Sequence, residues 1–130
     1  MEHVLTLAAR ALLVAALAAA VAAPARAGDA AAGGKVFATE CGECHSVREG
    51  KDKKGPSLFG IWGAKAAQRA GFIYSDALKG SGLAWTPENL DAYLANPKKP
   101  VPGGKMKYDG LADARQRADL LAWLESATKR

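Results

Sequence analysis

Cys41-Gly42-Glu43-Cys44-His45 is the stretch of this 130-residue chain that decides its fold, and it contains the only two cysteines in the sequence. The C-x-x-C-H pattern is typical of covalent haem attachment, in which both thiols form thioethers with the vinyl groups of one porphyrin. The histidine directly after the second cysteine then lies under the iron, where its imidazole can be an axial ligand. The motif therefore predicts one haem c, attached through Cys41 and Cys44 and ligated by His45.

Other chemistries also use two closely spaced cysteines. A zinc site needs two more ligands, and beyond the N-terminal segment only His45 and scattered carboxylates remain. A thioredoxin-like dithiol needs a βαβ context, and strand patterning is lacking here. A structural disulfide across so tight a loop is uncommon. We favour haem, and a haem-free dithiol oxidoreductase is the main alternative.

The N-terminal segment has the pattern of an export signal. Residues 4–23 are nearly all Ala, Leu and Val, Pro24 follows, and Ala25-Arg26-Ala27 has the small-x-small form of a cleavage site. This pattern predicts a signal peptide over residues 1–27, cleaved to leave one domain over residues 28–130 in the bacterial periplasm. The alternative is an uncleaved membrane anchor, although the apolar run is short for a bilayer span.

The charge balance is basic, with a net charge of +5 for the whole chain. Such a surface suits nucleic acid, a membrane or an acidic protein partner. Export and the lack of an aromatic-rich basic repeat argue against nucleic acid. A domain of this size builds only a modest core, so a cofactor at its centre would contribute to its stability.

The predicted architecture is all-α, with three main helices, short helical segments and long loops that wrap one haem. Capping residues and apolar spacing predict helices over Ala30 to about Glu40, Ser75 to Gly80, Thr86 to Asn96 and about Asp113 to Ala127. The apolar stripe of the last helix consists of Leu120, Trp123, Leu124 and Ala127. Its charged residues are expected to lie largely on other faces: Arg115, Arg117, Asp119 and Glu125.

Met106 is the only methionine beyond the N-terminal segment, and it lies in the loop segment Val101-Pro102-Gly103-Gly104-Lys105. A lone methionine is commonly a core filler, but this one lies on no periodic apolar face. We therefore predict that Met106 is the second iron ligand. A thioether ligand raises the reduction potential, and two protein ligands leave no open iron position. This predicts electron transfer and not enzymatic catalysis.

From Gly34 to Leu124 the chain resembles class I cytochromes c of the soluble mitochondrial and bacterial type. The resemblance is carried by landmarks that occur in order: Gly34-x-x-Phe37, the C-x-x-C-H motif, Gly55-Pro56-x-Leu58, Gly71-Phe72-x-Tyr74-Ser75, Trp85, Tyr93-Leu94-x-Asn96-Pro97, Pro102-Gly103-x-Lys105-Met106, and Leu120 with Trp123. It implies the cytochrome c fold around a single haem with His/Met ligation.

The resemblance also implies roles near the iron. Pro56 is expected to accept a hydrogen bond from Nδ1–H of His45, which fixes the tautomer of the ligand. Tyr93 is expected on the Met106 side, with its hydroxyl close to the sulfur.

Away from the iron, the resemblance implies that Tyr74 and the indole N–H of Trp85 point at a buried haem propionate. Ordinary core packing of these aromatic side chains is the alternative. The resemblance further implies that the first helix crosses the last one, with Gly34 and Phe37 against Leu120 and Trp123.

Three positions depart from the commonest pattern of these cytochromes. Ala64 stands where an arginine often helps to neutralise a propionate, and Arg69 or Lys65 are the candidates to replace it. Leu78 stands in place of a frequent buried asparagine, and Gly104 in place of a common threonine. These departures weaken polar support of the haem, so the reduction potential of better-known relatives is not transferred to this chain.

Lysines flank the predicted haem-binding segments at positions 53, 54, 98, 99, 105 and 107. They predict a positive collar that docks transiently on acidic faces of oxidases, reductases or dehydrogenases, and solvated loops are the alternative. We expect a monomeric, diffusible one-electron carrier that cycles between ferric and ferrous haem. An electron-accepting subunit of one exported dehydrogenase and a gas-binding haem protein without Met106 on the iron are further alternatives.

Overall fold

The computed structural model describes residues 27–130, which contain four helices joined by long loops. The helices are α1 (Ala30–Glu40), α2 (Asp76–Lys79), α3 (Pro87–Ala95) and α4 (Ala114–Ala127). Within this range the β-structure consists of an isolated antiparallel bridge between Lys65 and Ala84. The predicted all-α class is confirmed, with one short helix beside three longer ones. The predicted signal peptide falls almost entirely on residues 1–26, which lie outside the described range.

The helices begin where their capping residues predict. The Asp29 carboxylate accepts a hydrogen bond of 2.9 Å from the backbone N–H of Ala31, and the Thr86 hydroxyl accepts one of 3.2 Å from Asn89. The side chains of Ser75 and Asp113 cap α2 and α4 in the same way. Each cap satisfies backbone donors that have no partner inside the helix.

The α1 and α4 helices cross in direct backbone contact. A Cβ on Gly33 would overlap the carbonyl oxygen of Asp119 and lie 2.8 Å from Cβ of Trp123. The Phe37 and Trp123 rings pack beside this point, with centroids 4.5 Å apart. The crossing was predicted, but the closest backbone approach is at Gly33, whereas Gly34 faces the indole of Trp123. Glycine is required there because any side chain would separate the helices.

Asp119 lies inward, so the prediction that its carboxylate lies away from the apolar stripe was wrong. The residue is only 7% exposed. Its Oδ1 accepts a hydrogen bond of 2.7 Å from the backbone N–H of Asp29 and lies 3.3 Å from Nε of Arg115. Asp119 precedes Trp123 by four residues, and side chains at this spacing share one face of a helix.

The apolar core lies among α1, α3 and α4. Its buried cluster consists of Phe37, Leu94, Leu111, Leu120 and Leu124. The loop from Ser46 to Ala64 returns to these helices, and the N–H of Gly60 donates to the carbonyl oxygen of Thr128 at 2.6 Å. None of the helices in the described range is long and apolar enough to cross a membrane.

Candidate haem-binding site

A cavity of about 610 Å³ adjoins the core, and its wall is mostly apolar. All the side chains that the sequence predicts as site residues line it: Cys41, Cys44, His45, Pro56, Tyr74, Trp85, Tyr93 and Met106. These residues come from the end of α1, from α3 and from the three connections between the helices. Most cavities that hold cofactors fall between about 300 and 1,000 Å³, so the volume suits one large flat group.

The C-x-x-C-H segment forms a turn at the end of α1. The N–H of Cys41 donates to the carbonyl oxygen of Phe37 at 2.9 Å, and the N–H groups of Cys44 and His45 donate to that of Cys41 at 3.1 and 2.9 Å. The segment therefore continues the helical winding for one more turn. This winding brings both thiols and the imidazole to the same cavity wall, as a group attached at three points requires.

The His45 imidazole is held in one orientation. Its Nδ1 lies 2.7 Å from the carbonyl oxygen of Pro56, and because a carbonyl only accepts, Nδ1 carries the proton. A Cβ on Gly55 would overlap the ring at Cε1, so the backbone packs flat against the imidazole. Burial lowers the pKa of His45, although the hydrogen bond to Pro56 opposes this effect. The neutral ring keeps Nε2 available as a metal ligand.

No disulfide joins Cys41 and Cys44, and Cys41 does not have the low pKa of a redox nucleophile. Burial, followed by the charges of Glu40 and Cys44, raises the pKa of Cys41 to about 11. Dithiol oxidoreductases instead depend on a cysteine whose pKa is lowered, because the thiolate is the attacking species. The raised pKa of Cys41 therefore argues against thiol–disulfide exchange.

Met106 reaches the cavity beside Tyr93, whose hydroxyl lies 3.9 Å from Sδ of Met106. Burial raises the pKa of Tyr93, so the phenol stays protonated and can donate a hydrogen bond. The Tyr93 ring packs on Trp85 with centroids 4.9 Å apart and planes inclined by 57°. The aromatic pair forms a rigid wall next to the sulfur.

Comparisons with known proteins agree on one family. The sequence model of the family described as Cytochrome c matches residues 30–128. This chain belongs to the cytochrome c family. It is 47% identical to cytochrome c of Guizotia abyssinica over 107 residues, which cover 82% of this chain and 96% of the relative. It is 45% identical to cytochrome c of Gibberella zeae over 103 residues, covering 78% and 97%.

A solved structure shows the same fold. Cytochrome cH from Methylobacterium extorquens matches with a TM-score of 0.71 and 47% identity, covering 76% of this chain and 99% of that one. Cytochromes c are electron carriers with a covalently bound haem c, and the cavity described above fits such a group. Two thiols, a neutral imidazole and a thioether line it, and a glycine leaves room for the imidazole.

The positions that depart from the common cytochrome c pattern all line the cavity: Ala64, Leu78 and Gly104. None of them offers a polar side chain to a buried haem edge. Tyr74 and Trp85 line the same cavity, and the Tyr74 ring packs edge-on against Phe72 at 5.0 Å.

Sequence analysis missed an ion pair beside this part of the cytochrome c cavity. Arg69 pairs with Asp52, and the same carboxylate oxygen accepts a hydrogen bond of 2.8 Å from the N–H of Ser57. The hydrogen bond to Arg69, followed by that to Ser57, lowers the pKa of Asp52. Asp52 lies in a polar segment among Lys51, Lys53 and Lys54, and no spacing in the sequence connects it to Arg69.

Sequence analysis also missed a contact at the other end of the cavity. The Tyr108 hydroxyl donates a hydrogen bond of 2.8 Å to Oε2 of Glu40. The contact joins the end of α1 to the loop that contains Met106. Both residues line the cavity, so this hydrogen bond ties the two predicted ligand-bearing segments together.

Proposed function

We propose that this chain is an exported one-electron carrier whose haem c is attached through Cys41 and Cys44 and ligated by His45 and Met106. The observation that carries the proposal is the convergence of all four side chains, from the end of α1 and the loops after it, on one cavity. The leader pattern over residues 1–27 supports export to a periplasm.

The bound haem supplies an iron centre that accepts and releases one electron. Pro56 holds His45 in the tautomer that presents Nε2. Tyr93 donates toward the sulfur of Met106, which limits movement of the thioether. With two protein ligands there is no open coordination position for oxygen or a substrate, and this supports electron transfer over catalysis.

A visible spectrum of the natively matured protein in both redox states tests this assignment. We expect the bands of a low-spin c-type haem, retention of the haem under denaturing conditions, and a weak near-infrared band from methionine–iron bonding in the ferric state. A colourless protein from a host with working cytochrome c maturation would overturn the haem assignment.

Substitution of Met106 separates the carrier from a gas-binding protein. Met106→Ala should remove the near-infrared band and allow rapid carbon monoxide binding to the ferrous protein, because the iron loses its sixth ligand. Leu121→Ala on α4 is a matched control, since Leu121 does not line the cavity. Rapid carbon monoxide binding by the unmodified protein would contradict ligation by Met106.

We further propose that the lysine collar steers this carrier to acidic faces of redox partners. Several collar lysines already have partners: Lys54 pairs with Glu43, and Nζ of Lys98 lies 3.3 Å from Oδ1 of Asp109. Lys107 is exposed at the cavity wall and makes no ion pair within the described residues. Exposed, unpaired charge at the rim supports weak, salt-sensitive docking.

Reversing the charge of one collar lysine tests the docking proposal. Lys107→Glu should slow electron transfer to an acidic redox partner at low salt, and the difference from the unmodified protein should shrink as salt screens the charges. Lys129→Glu carries the same charge change away from the haem cavity and should have a smaller effect. Equal rates for the three proteins at low salt, with the methionine–iron band intact, would contradict the docking proposal.

A further inference from the structure

Arg69 differs from the other basic residues around the cavity. The others are exposed: Lys54, Lys65, Lys105, Lys107 and Arg130. The Arg69 side chain is only 27% exposed. Its Nε is buried without a hydrogen-bond partner, the only side-chain nitrogen or oxygen in residues 27–130 in that condition. A buried N–H without a partner is costly, so its position calls for an acceptor that the protein itself does not provide.

Asp52 holds this guanidinium from one side. One terminal nitrogen of Arg69 pairs with Oδ1 of Asp52, and that oxygen is itself fixed by the N–H of Ser57. A guanidinium has five N–H donors in a planar fork. Tyr74 also contacts the Arg69 side chain, and donors that include the buried Nε remain free. Arg69 is therefore held in position at the cavity and still has donors available to a second anion.

The group that a cytochrome c holds carries its own anions. Haem c has two propionate carboxylates on one edge, and a carboxylate taken into a partly buried cavity is stable only with a charged or hydrogen-bonding partner. Ala64, Leu78 and Gly104 provide none. Arginine is suited to such a carboxylate because its fork gives short, charge-assisted hydrogen bonds.

We propose that Arg69, positioned by Asp52, binds a haem propionate through the guanidinium donors that the ion pair leaves free. The proposal rests on the proposed function, because it requires the haem in this cavity. It gives the chain a propionate-binding cation five residues beyond Ala64, on the same loop.

A purely structural role for Arg69 is the rival explanation. In that case the Arg69–Asp52 pair only ties together two parts of the connection between α1 and α2, and loss of either partner has the same consequence. Direct binding predicts different consequences. Loss of Arg69 removes the cation from the propionate, whereas loss of Asp52 leaves the cation and removes a competing negative charge.

The test is a pH titration of the haem propionates by ¹³C NMR, with labelled haem, in the matured holoprotein. In Arg69→Gln we expect a propionate pKa to rise by about one unit or more, since an adjacent cation typically lowers a carboxyl pKa by about 1–3 units. Asp52→Asn should leave that pKa unchanged or lower it. The control is Arg48→Gln, which removes an exposed arginine that does not line the cavity.

Arg69→Lys keeps the charge without the fork and should show a smaller rise than Arg69→Gln. If Arg69→Gln does not acquire covalent haem, the comparison of Arg69→Lys with the unmodified protein tests the proposal instead. Equal rises in Arg69→Gln and Asp52→Asn, or no rise beyond that of Arg48→Gln, would overturn the proposal. A rise in the propionate pKa that occurs only in Lys65→Gln would also overturn the proposal. An unmodified protein without covalent haem would overturn the proposed function itself, and its visible spectrum shows this before any variant is made.

Discussion

Gly33 shows how far one position controls the contact between two helices. It lies within α1 and is buried where the backbone of α4 passes. Glycine within a helix costs about 1 kcal/mol relative to alanine, so its presence there is unfavourable locally. The close approach of α4 offsets that cost, because Phe37 and Trp123 can then pack against each other.

Substitution of the two adjacent glycines tests this account. Gly33→Ala should lower the free energy of unfolding by about 2 kcal/mol, because the new methyl group overlaps the backbone of Asp119 and forces the helices apart. Gly34→Ala should cost less, since its Cβ would lie 3.0 Å from Nε1 of Trp123, a side chain that can shift. Guanidinium unfolding of the holoproteins measures both, and equal losses would contradict the assignment of the crossing point to Gly33.

The Asp52 carboxylate makes the stability of the protein depend on pH. Its hydrogen bond to Arg69, followed by that to Ser57, holds the pKa of Asp52 below its ordinary value. The unfolded chain has a pKa of about 3.9 at this position. The resulting stabilisation is complete above the unfolded pKa and is lost as pH falls through the folded pKa.

Asp52→Asn should therefore be less stable than the unmodified protein at pH 7, and the difference should shrink below about pH 4. Thermal unfolding of the holoproteins between pH 7 and pH 3 measures it. Glu49→Gln removes an exposed carboxylate that makes no ion pair in the described residues and serves as the control. A difference for Asp52→Asn that stays constant across this range would contradict the coupling.

At the scale of elements, α4 is held to the start of α1 by a polar contact as well as by its apolar stripe. The Asp119 carboxylate accepts from the backbone N–H of Asp29, and Asp29 caps α1 with its own carboxylate. The cap and the crossing are therefore linked through two consecutive hydrogen bonds. This contact fixes the position of α4 along α1, which apolar packing alone constrains less.

Asp119→Ala should lower the free energy of unfolding by about 2 kcal/mol, because a partly buried N–H loses its acceptor. Asp119→Asn retains an acceptor oxygen and should lose less. Glu125→Ala on the same helix removes an exposed carboxylate 3.4 Å from Nζ of Lys129 and should cost at most about 0.5 kcal/mol. Chemical denaturation of the three holoproteins provides the comparison, and a similar loss for Asp119→Ala and Glu125→Ala would contradict the role of Asp119.

At the scale of the whole molecule, the cavity occupies the place where a larger domain would have its core. The buried apolar residues described are few, and five of them line the cavity: Phe37, Leu90, Leu94, Val101 and Leu124. A bound haem would fill this cavity of about 610 Å³, and the stability of protein interiors depends on close packing. Much of the packing that stabilises the fold would therefore come from contacts with the haem.

The doubly substituted Cys41→Ser/Cys44→Ser chain, which cannot attach haem, should therefore show no cooperative thermal transition by circular dichroism. Cys41→Ser alone keeps one attachment point and should retain a cooperative transition if haem is incorporated. A haem-free double variant that unfolds as cooperatively as the holoprotein would show that the protein residues alone stabilise the fold.

The local features of this protein follow from short stretches of its sequence. Asp29 and Thr86 mark helix starts because a cap acts on backbone donors two or three residues away. The C-x-x-C-H motif is equally local, and its spacing within one turn was sufficient to predict haem attachment. Ordered landmarks along the chain were sufficient for the family.

Contacts between distant groups, in contrast, depend on how the elements pack in three dimensions. Asp119 and Asp29 are separated by 90 positions, and the burial of Asp119 depends on the crossing of α1 and α4. Asp52 and Arg69 lie 17 residues apart in the connection between α1 and α2, and the path of this connection follows no periodic pattern. Burial and ion pairing of such residues depend on how separate elements pack, and neither propensity nor periodicity carries that information. The C-x-x-C-H motif could therefore be recognised from sequence, and Arg69 could be named as one of two candidate cations. Its pairing with Asp52 and the burial of its Nε could not be predicted.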